Sequence, residues 1–110
     1  MKTLTLITGA DTDVLNRKAV PVSLPFSDEI QQLLDEMIVV MRQEKGIGLA
    51  APQVGISQRI CVIEIDGAIS KYLNPEITSR SQEKIFFEEG CLSLPGQFFP
   101  IERHEVITVK

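Results

Sequence analysis

At 110 residues, with 44% hydrophobic and 24% charged side chains, the chain has the length and balance of one globular domain rather than of a disordered tail. Fifteen acidic against eleven basic side chains give a net charge of −4, which argues against the basic footprint of a nucleic-acid binder or of a protein held on an anionic membrane. Apolar runs such as Met37 to Val40 are far too short to span a bilayer.

The first segment, Met1 to Ile7, carries one lysine and a broken apolar patch, with Asp11 and Asp13 soon after. It lacks the apolar stretch of roughly 7–15 residues that a secretory signal needs. Residues 1–26 read as irregular, with Pro21 and Pro25 as breakers. From Ser27 the pattern becomes helical: Ile30, Leu33, Leu34, Met37, Ile38 and Met41 share one face. Ser27 suits the N-cap, Asp28 and Glu29 favour the first turn, and Lys45 followed by Gly46 reads as a stop.

Shorter periods follow. Arg59 to Ile65 is β-branched and reads as a buried strand, which makes Cys61 a core residue. Asp66-Gly67 is a turn signal. Tyr72 to Ile77 is extended but carries Pro75, so it is an edge strand or an interrupted one. Lys84 to Glu88 and Val106 to Val109 complete the strand candidates, and a chain that stops inside a strand is unusual. The expected class is α+β, one N-terminal helix followed by mostly antiparallel strands, within a single domain over residues 1–110.

Cysteines Cys61 and Cys91, 30 residues apart, form neither a zinc-knuckle spacing nor a disulfide framework. Unpaired thiols fit a reducing compartment, so a cytoplasmic location is expected. Two stretches stand out chemically. In Gly46-Ile47-Gly48-Leu49-Ala50-Ala51-Pro52-Gln53, small residues permit close backbone approach, and Gln53 can donate and accept. Read alone, the stretch is a helix C-cap and a tight connection; no Gly-Lys-Ser/Thr ending makes it a phosphate loop. In Glu88-Glu89-Gly90-Cys91-Leu92-Ser93-Leu94-Pro95-Gly96, Cys91 reads either as a buried structural thiol or as a metal ligand. The two carboxylates beside it oppose thiolate formation and so disfavour a free nucleophile, whereas a divalent ion holds a thiolate regardless.

Together the two stretches resemble the motifs of the peptide deformylase family. Gly46 to Gln53 matches GxGLAAxQ, and Glu89 to Ser93 matches EGCLS, in the family's order and separation. Ile7, Val14-Leu15, Ala19, Val20 and Asn74-Pro75-Glu76 are similar too, so the resemblance covers essentially the whole chain. It implies hydrolysis of the formyl group from N-formylmethionine on nascent polypeptides. The family uses one divalent metal, iron(II), with zinc, nickel or cobalt as substitutes, held by the EGCLS cysteine and two histidines of an HExxH helix, with water in the open position. By resemblance Cys91 is the thiolate ligand. Gln53 and the backbone N–H of Leu92 are the oxyanion donors. Ile47, Gly48 and Gly90 hold the substrate backbone near the methionine pocket, and Arg103 lies along the peptide groove.

The HExxH motif does not occur in these 110 residues. His104, the only histidine, opens His104-Glu105-Val106-Ile107-Thr108, which ends in Thr108 and reads as a strand, so it is a decoy on a solvated surface. Three readings follow: a deformylase whose remaining ligands come from a further segment or a second chain, a non-catalytic relative that binds peptide N-termini or a protein, and a hydrolase using Cys91 with His104. Without the family's HExxH helix, the apolar face from Ile30 to Met41 is expected to lack a partner.

Overall fold

In a computed structural model, residues 4–9, 12–23 and 27–109 are described. Pro25 and the ends of the chain, Met1 to Thr3 and Lys110, lie outside these, as does Asp11. Helix α1 (Asp13–Asn16) is a single turn inside the stretch expected to be irregular, and helix α2 (Asp28–Gln43) is the amphipathic helix. Among the described residues seven strands follow: β1 (Gly48–Ala50), β2 (Ile60–Ile65), β3 (Ala68–Leu73), β4 (Ile77–Arg80), β5 (Lys84–Cys91), β6 (Leu94–His104) and β7 (Ile107–Val109), with a 3-10 turn over Ala51–Val54 between β1 and β2. They form three antiparallel sheets, β1-β2-β3, β4-β7 and β5-β6. No helix among the described residues is long and apolar enough to cross a membrane.

The α2 face does have a partner. Leu34, Met37 and Met41 are buried together with Leu49 of β1, Ile60 and Val62 of β2, and Ala51 and Val54 of the 3-10 turn. Strands β1 and β2 supply the covering surface that had been expected from a helix beyond these residues. Burying a side chain of this size contributes about 1.5–3 kcal/mol, so this cluster carries the fold. Ser27 occupies the N-cap position, with its carbonyl accepting from the N–H groups of Ile30 and Gln31, but its hydroxyl makes no capping bond. At the other end Lys45, not Gly46, takes the left-handed conformation, at φ 58°.

Pro75 does interrupt the Tyr72–Ile77 stretch: β3 ends at Leu73 and β4 begins at Ile77. Asn74 sits between them at φ 52°. Its amide brackets Val22, accepting from the backbone N–H at 2.6 Å and donating to the carbonyl at 2.9 Å. A parallel bridge between Val20 and Gln58 stitches the same N-terminal segment to the start of β2. The Gly-rich stretch is a strand and a turn instead of a plain connection, and β5 runs past Glu88 to Cys91 before returning as β6.

Candidate functional site

The β5–β6 hairpin brings Cys91 to its tip, where Cys91 pairs with Leu94 around a turn of Leu92 and Ser93. Cys91 is exposed, which corrects the reading of a buried structural thiol. Cys61 is half-buried on β2, and desolvation pushes its thiol above the ordinary range.

The two unusual stretches meet. Gln53 stands in the 3-10 turn, where Pro52 at an early helical position and Gly55 at φ 85° suit entry and exit. Its Oε1 accepts from the Ala50 N–H at 3.0 Å, which orients the amide. Its Nε2 then donates to Ser93 Oγ at 3.2 Å and faces Cys91 Sγ at 3.6 Å, across 38 residues of sequence. Ser93, only 3% exposed, is a residue to which the motif comparison gave no role. The segment before α1 closes the arrangement: Ile7 N–H donates to the Gln53 carbonyl at 2.6 Å, and Gly9 N–H to the Ser93 carbonyl at 2.9 Å.

A cleft of about 960 Å³ opens over this junction. Of the sequence-derived residues, Ile47, Gly48, Gln53, Gly90, Cys91 and Leu92 all line it. Arg103 does not. Its guanidinium makes a two-pronged ion pair with Glu89, at 2.9 Å to each carboxylate oxygen, and this hydrogen bonding holds the Glu89 carboxyl below its ordinary range. Phe98, also missed from sequence, lines the cleft from β6. The signal available for it was Gly90, its ladder partner.

His104 pairs with Lys84 at the open end of the hairpin, seven β5 residues from Cys91, roughly 20 Å along a strand. It is half-buried, with Nδ1 at 2.7 Å from the Ser81 carbonyl, so it is a structural histidine more than a solvated one. That separation leaves Cys91 without the imidazole that a cysteine hydrolase needs. Among the described residues no group of three or more His, Cys, Asp or Glu side chains comes together to hold a metal ion. Cys91 is a suitable soft donor, but a three-ligand metal site is not built from these residues alone.

The family model for polypeptide deformylase matches residues 4–110. The peptide deformylase of Fusobacterium nucleatum is 43% identical over 100 residues, covering 89% of this chain and 58% of that protein. The chain therefore spans 58% of the length of that relative. The crystal structure of the Thermotoga maritima peptide deformylase superposes with a TM-score of 0.93 at 38% identity, covering 99% of this chain and 73% of that one. The Met-Ala-Ser-bound class I type b peptide deformylase of Acinetobacter baumannii matches with a TM-score of 0.91 at 33% identity, covering 98% of this chain and 75% of that one.

Proposed function

The chain belongs to the polypeptide deformylase family, and from that premise we propose that its 110 residues form one domain of a cytoplasmic deformylase, the part carrying the thiolate ligand, the oxyanion donors and the peptide cleft. The reaction is hydrolysis of the formamide at the start of a nascent polypeptide: the C–N bond between formyl carbon and methionine nitrogen breaks, water supplies a hydroxyl to the carbon and a proton to the nitrogen, and formate and a free methionine amino group result. The observation that carries this reading is the Gln53 amide, locked by Ala50 and aimed at the space beside Cys91 Sγ.

Each residue has a task in this scheme. The Gln53 Nε2–H and the Leu92 backbone N–H stabilise the charge that grows on the formyl oxygen, a contribution of about 3–4 kcal/mol for a well-placed donor. Ile47, Gly48 and Gly90 bind the peptide backbone. Arg103, beyond the cleft lining, meets only peptide that continues along β6 and otherwise holds Glu89 beside the cleft. Cys91 gives one ligand to a divalent metal, iron(II) with zinc, nickel or cobalt as substitutes, and two further ligands come from polypeptide outside these residues. When bound, that metal supplies Lewis acidity to the formyl group and to water. The Met-Ala-Ser bound by the Acinetobacter baumannii relative has the composition expected of a deformylated N-terminus.

The test is formate release from N-formyl-Met-Ala-Ser under iron(II) without oxygen, by the chain alone and by the chain mixed with the C-terminal part of the Thermotoga maritima relative. The expected result is turnover in the mixture only, lost with chelator and with Cys91→Ala. Turnover by the Cys91→Ala mixture, or a mixture that binds metal and peptide without releasing formate, overturns the reading. The latter outcome would support the second reading, a non-catalytic relative that binds peptide N-termini or a protein.

A further inference from the structure

Gln53 and Ser93 are joined twice, once directly and once through the N-terminal segment. Gln53 Nε2 donates to Ser93 Oγ at 3.2 Å. Ile7 N–H donates to the Gln53 carbonyl at 2.6 Å and Gly9 N–H to the Ser93 carbonyl at 2.9 Å, so residues 7–9 bridge the 3-10 turn and the hairpin turn. The bridge is itself anchored. Leu4 and Leu6 pack on the core cluster. Past Ser93 the chain turns at Gly9, at φ 101°, whose carbonyl accepts from the Thr12 N–H at 3.1 Å. The contacts close into a ring in which Ser93, almost fully buried, has backbone and side chain both engaged.

A primary amide carries one acceptor oxygen and two N–H donors. The Ala50 N–H holds the Gln53 oxygen at 3.0 Å, yet a single contact leaves the amide free to pivot about it. A second contact, at the nitrogen, removes that freedom. Ser93 Oγ takes one Nε2–H and leaves the other for the space beside Cys91 Sγ. A hydroxyl does this without bringing a charge to the site.

We propose that Ser93 is a positioning residue for the reaction: clasped by residues 7–9, its hydroxyl sets the orientation of the Gln53 amide so that one N–H stays free for substrate. The role in the reaction rests on the deformylase reading above; the clasp itself does not. Ser93 acts through Gln53 and meets no reacting atom. Loss of its hydroxyl therefore leaves the Gln53 donor in place but restores the pivot, and costs less turnover than loss of that donor. The Gly9 link uses the Ser93 backbone, so it survives Ser93→Ala.

The first experiment is heteronuclear NMR of the isotope-labelled 110-residue chain. The Gln53 side-chain amide is expected to be ordered in the parent, with well-separated proton shifts, and mobile in Ser93→Ala. Ser93→Thr, which keeps a hydroxyl, retains the order. The Gly9 N–H keeps its shift throughout and reports that the turn stays folded. The second experiment is formate release in the mixture with the C-terminal part of the Thermotoga maritima relative. Ser93→Ala is expected to lower kcat about tenfold at unchanged KM. In the Gln53→Ala background it lowers kcat no further, as residues acting as one unit require. A Gln53 amide that is mobile in the parent, or equally ordered in Ser93→Ala, overturns the inference. So does the same loss of kcat in both backgrounds. If the amide loses its order in Ser93→Ala but no mixture releases formate, the deformylase reading fails and the clasp stands.

Discussion

Gly46 and Leu92 are in contact without room for another atom: a Cβ on Gly46 would stand 2.6 Å from Leu92 Cδ1 and 3.2 Å from Cγ. The first residue of one motif is therefore the seat of the leucine of the other, whose backbone N–H is a proposed oxyanion donor. Leu92 also packs on the main core cluster. Gly46→Ala pushes against Cγ as well as the methyl end, so rotation of the tip alone does not relieve it. The expected cost is about 1–3 kcal/mol of stability, in the range for overpacking. Gly48→Ala is the control, because its nearest neighbour would be Val62 O at 3.8 Å, and a change within ~0.5 kcal/mol is expected. Urea unfolding of the two variants checks the contrast, and equal destabilisation would show that Leu92 is not held by Gly46.

Gln53 uses its two amide atoms for different purposes, and the substitutions can separate them. Gln53→Glu keeps an acceptor for the Ala50 N–H and removes the donor that faces Cys91 and Ser93. Stability is expected to stay near that of the parent, while formate release by the reconstituted enzyme falls about 10²–10³-fold. Gln53→Ala removes both and adds a stability loss of about 1 kcal/mol from the unpaired Ala50 N–H. If the Glu variant kept full turnover, Gln53 would be only a structural brace.

How far the sequence foretold this arrangement depends on the element. The α2 face was legible because Leu33, Leu34, Met37 and Met41 recur at the helical period, and all four are buried. Strand β2 was legible from its β-branched run. Strand β6 was not, since it opens with Leu94-Pro95-Gly96, which reads as punctuation, and its two-stranded sheet leaves most side chains exposed, so no alternation marks it. The pairing of Gln53 with Cys91 spans 38 residues and depends on where the β5–β6 hairpin turns, which no local period encodes. The partner of the α2 face was misjudged because β1 is three residues long and hidden in a Gly-Ala stretch.

The two thiols should differ sharply in labelling. Cys91 is exposed at the hairpin tip, whereas Cys61 is half-buried with its thiol pushed above the ordinary value of 9.0 by desolvation. At pH 8 a thiol reagent is expected to modify Cys91 quickly and Cys61 only after denaturant is added. The sign of the linkage follows. A thiol whose folded pKa is raised contributes stability that is present below pH 9 and is lost as pH rises through the folded value. The urea midpoint of the parent should accordingly fall above pH 9 more steeply than that of Cys61→Ala. Rapid single labelling at Cys61 in the folded chain would contradict its place on β2.

Glu89 and Arg103 give the opposite sign. The paired Arg103 holds the Glu89 carboxyl below its ordinary 4.5. Whatever stability the pair contributes is present above that value and is lost as pH falls through the lower, folded one. Arg103 is exposed and Glu89 only half-buried, so salt should weaken the effect. An NMR titration of the Glu89 carboxyl is expected to move upward towards its ordinary value in Arg103→Gln, and also in the parent at high salt. An unshifted titration in Arg103→Gln would assign the depression to another group.

Ser27 marks the start of α2 without using its hydroxyl. A serine N-cap whose side chain caps the helix is worth about 1 kcal/mol over alanine. Here the Ser27 carbonyl accepts from Ile30 and Gln31, and the side chain makes no capping bond. Most of what holds the helix is the burial of Leu34, Met37 and Met41, so Ser27→Ala is expected to cost under ~0.5 kcal/mol, against about 2–5 kcal/mol for Met37→Ala. Urea unfolding of the two variants measures both. A loss near 1 kcal/mol for Ser27→Ala would mean that the hydroxyl caps α2 in solution after all.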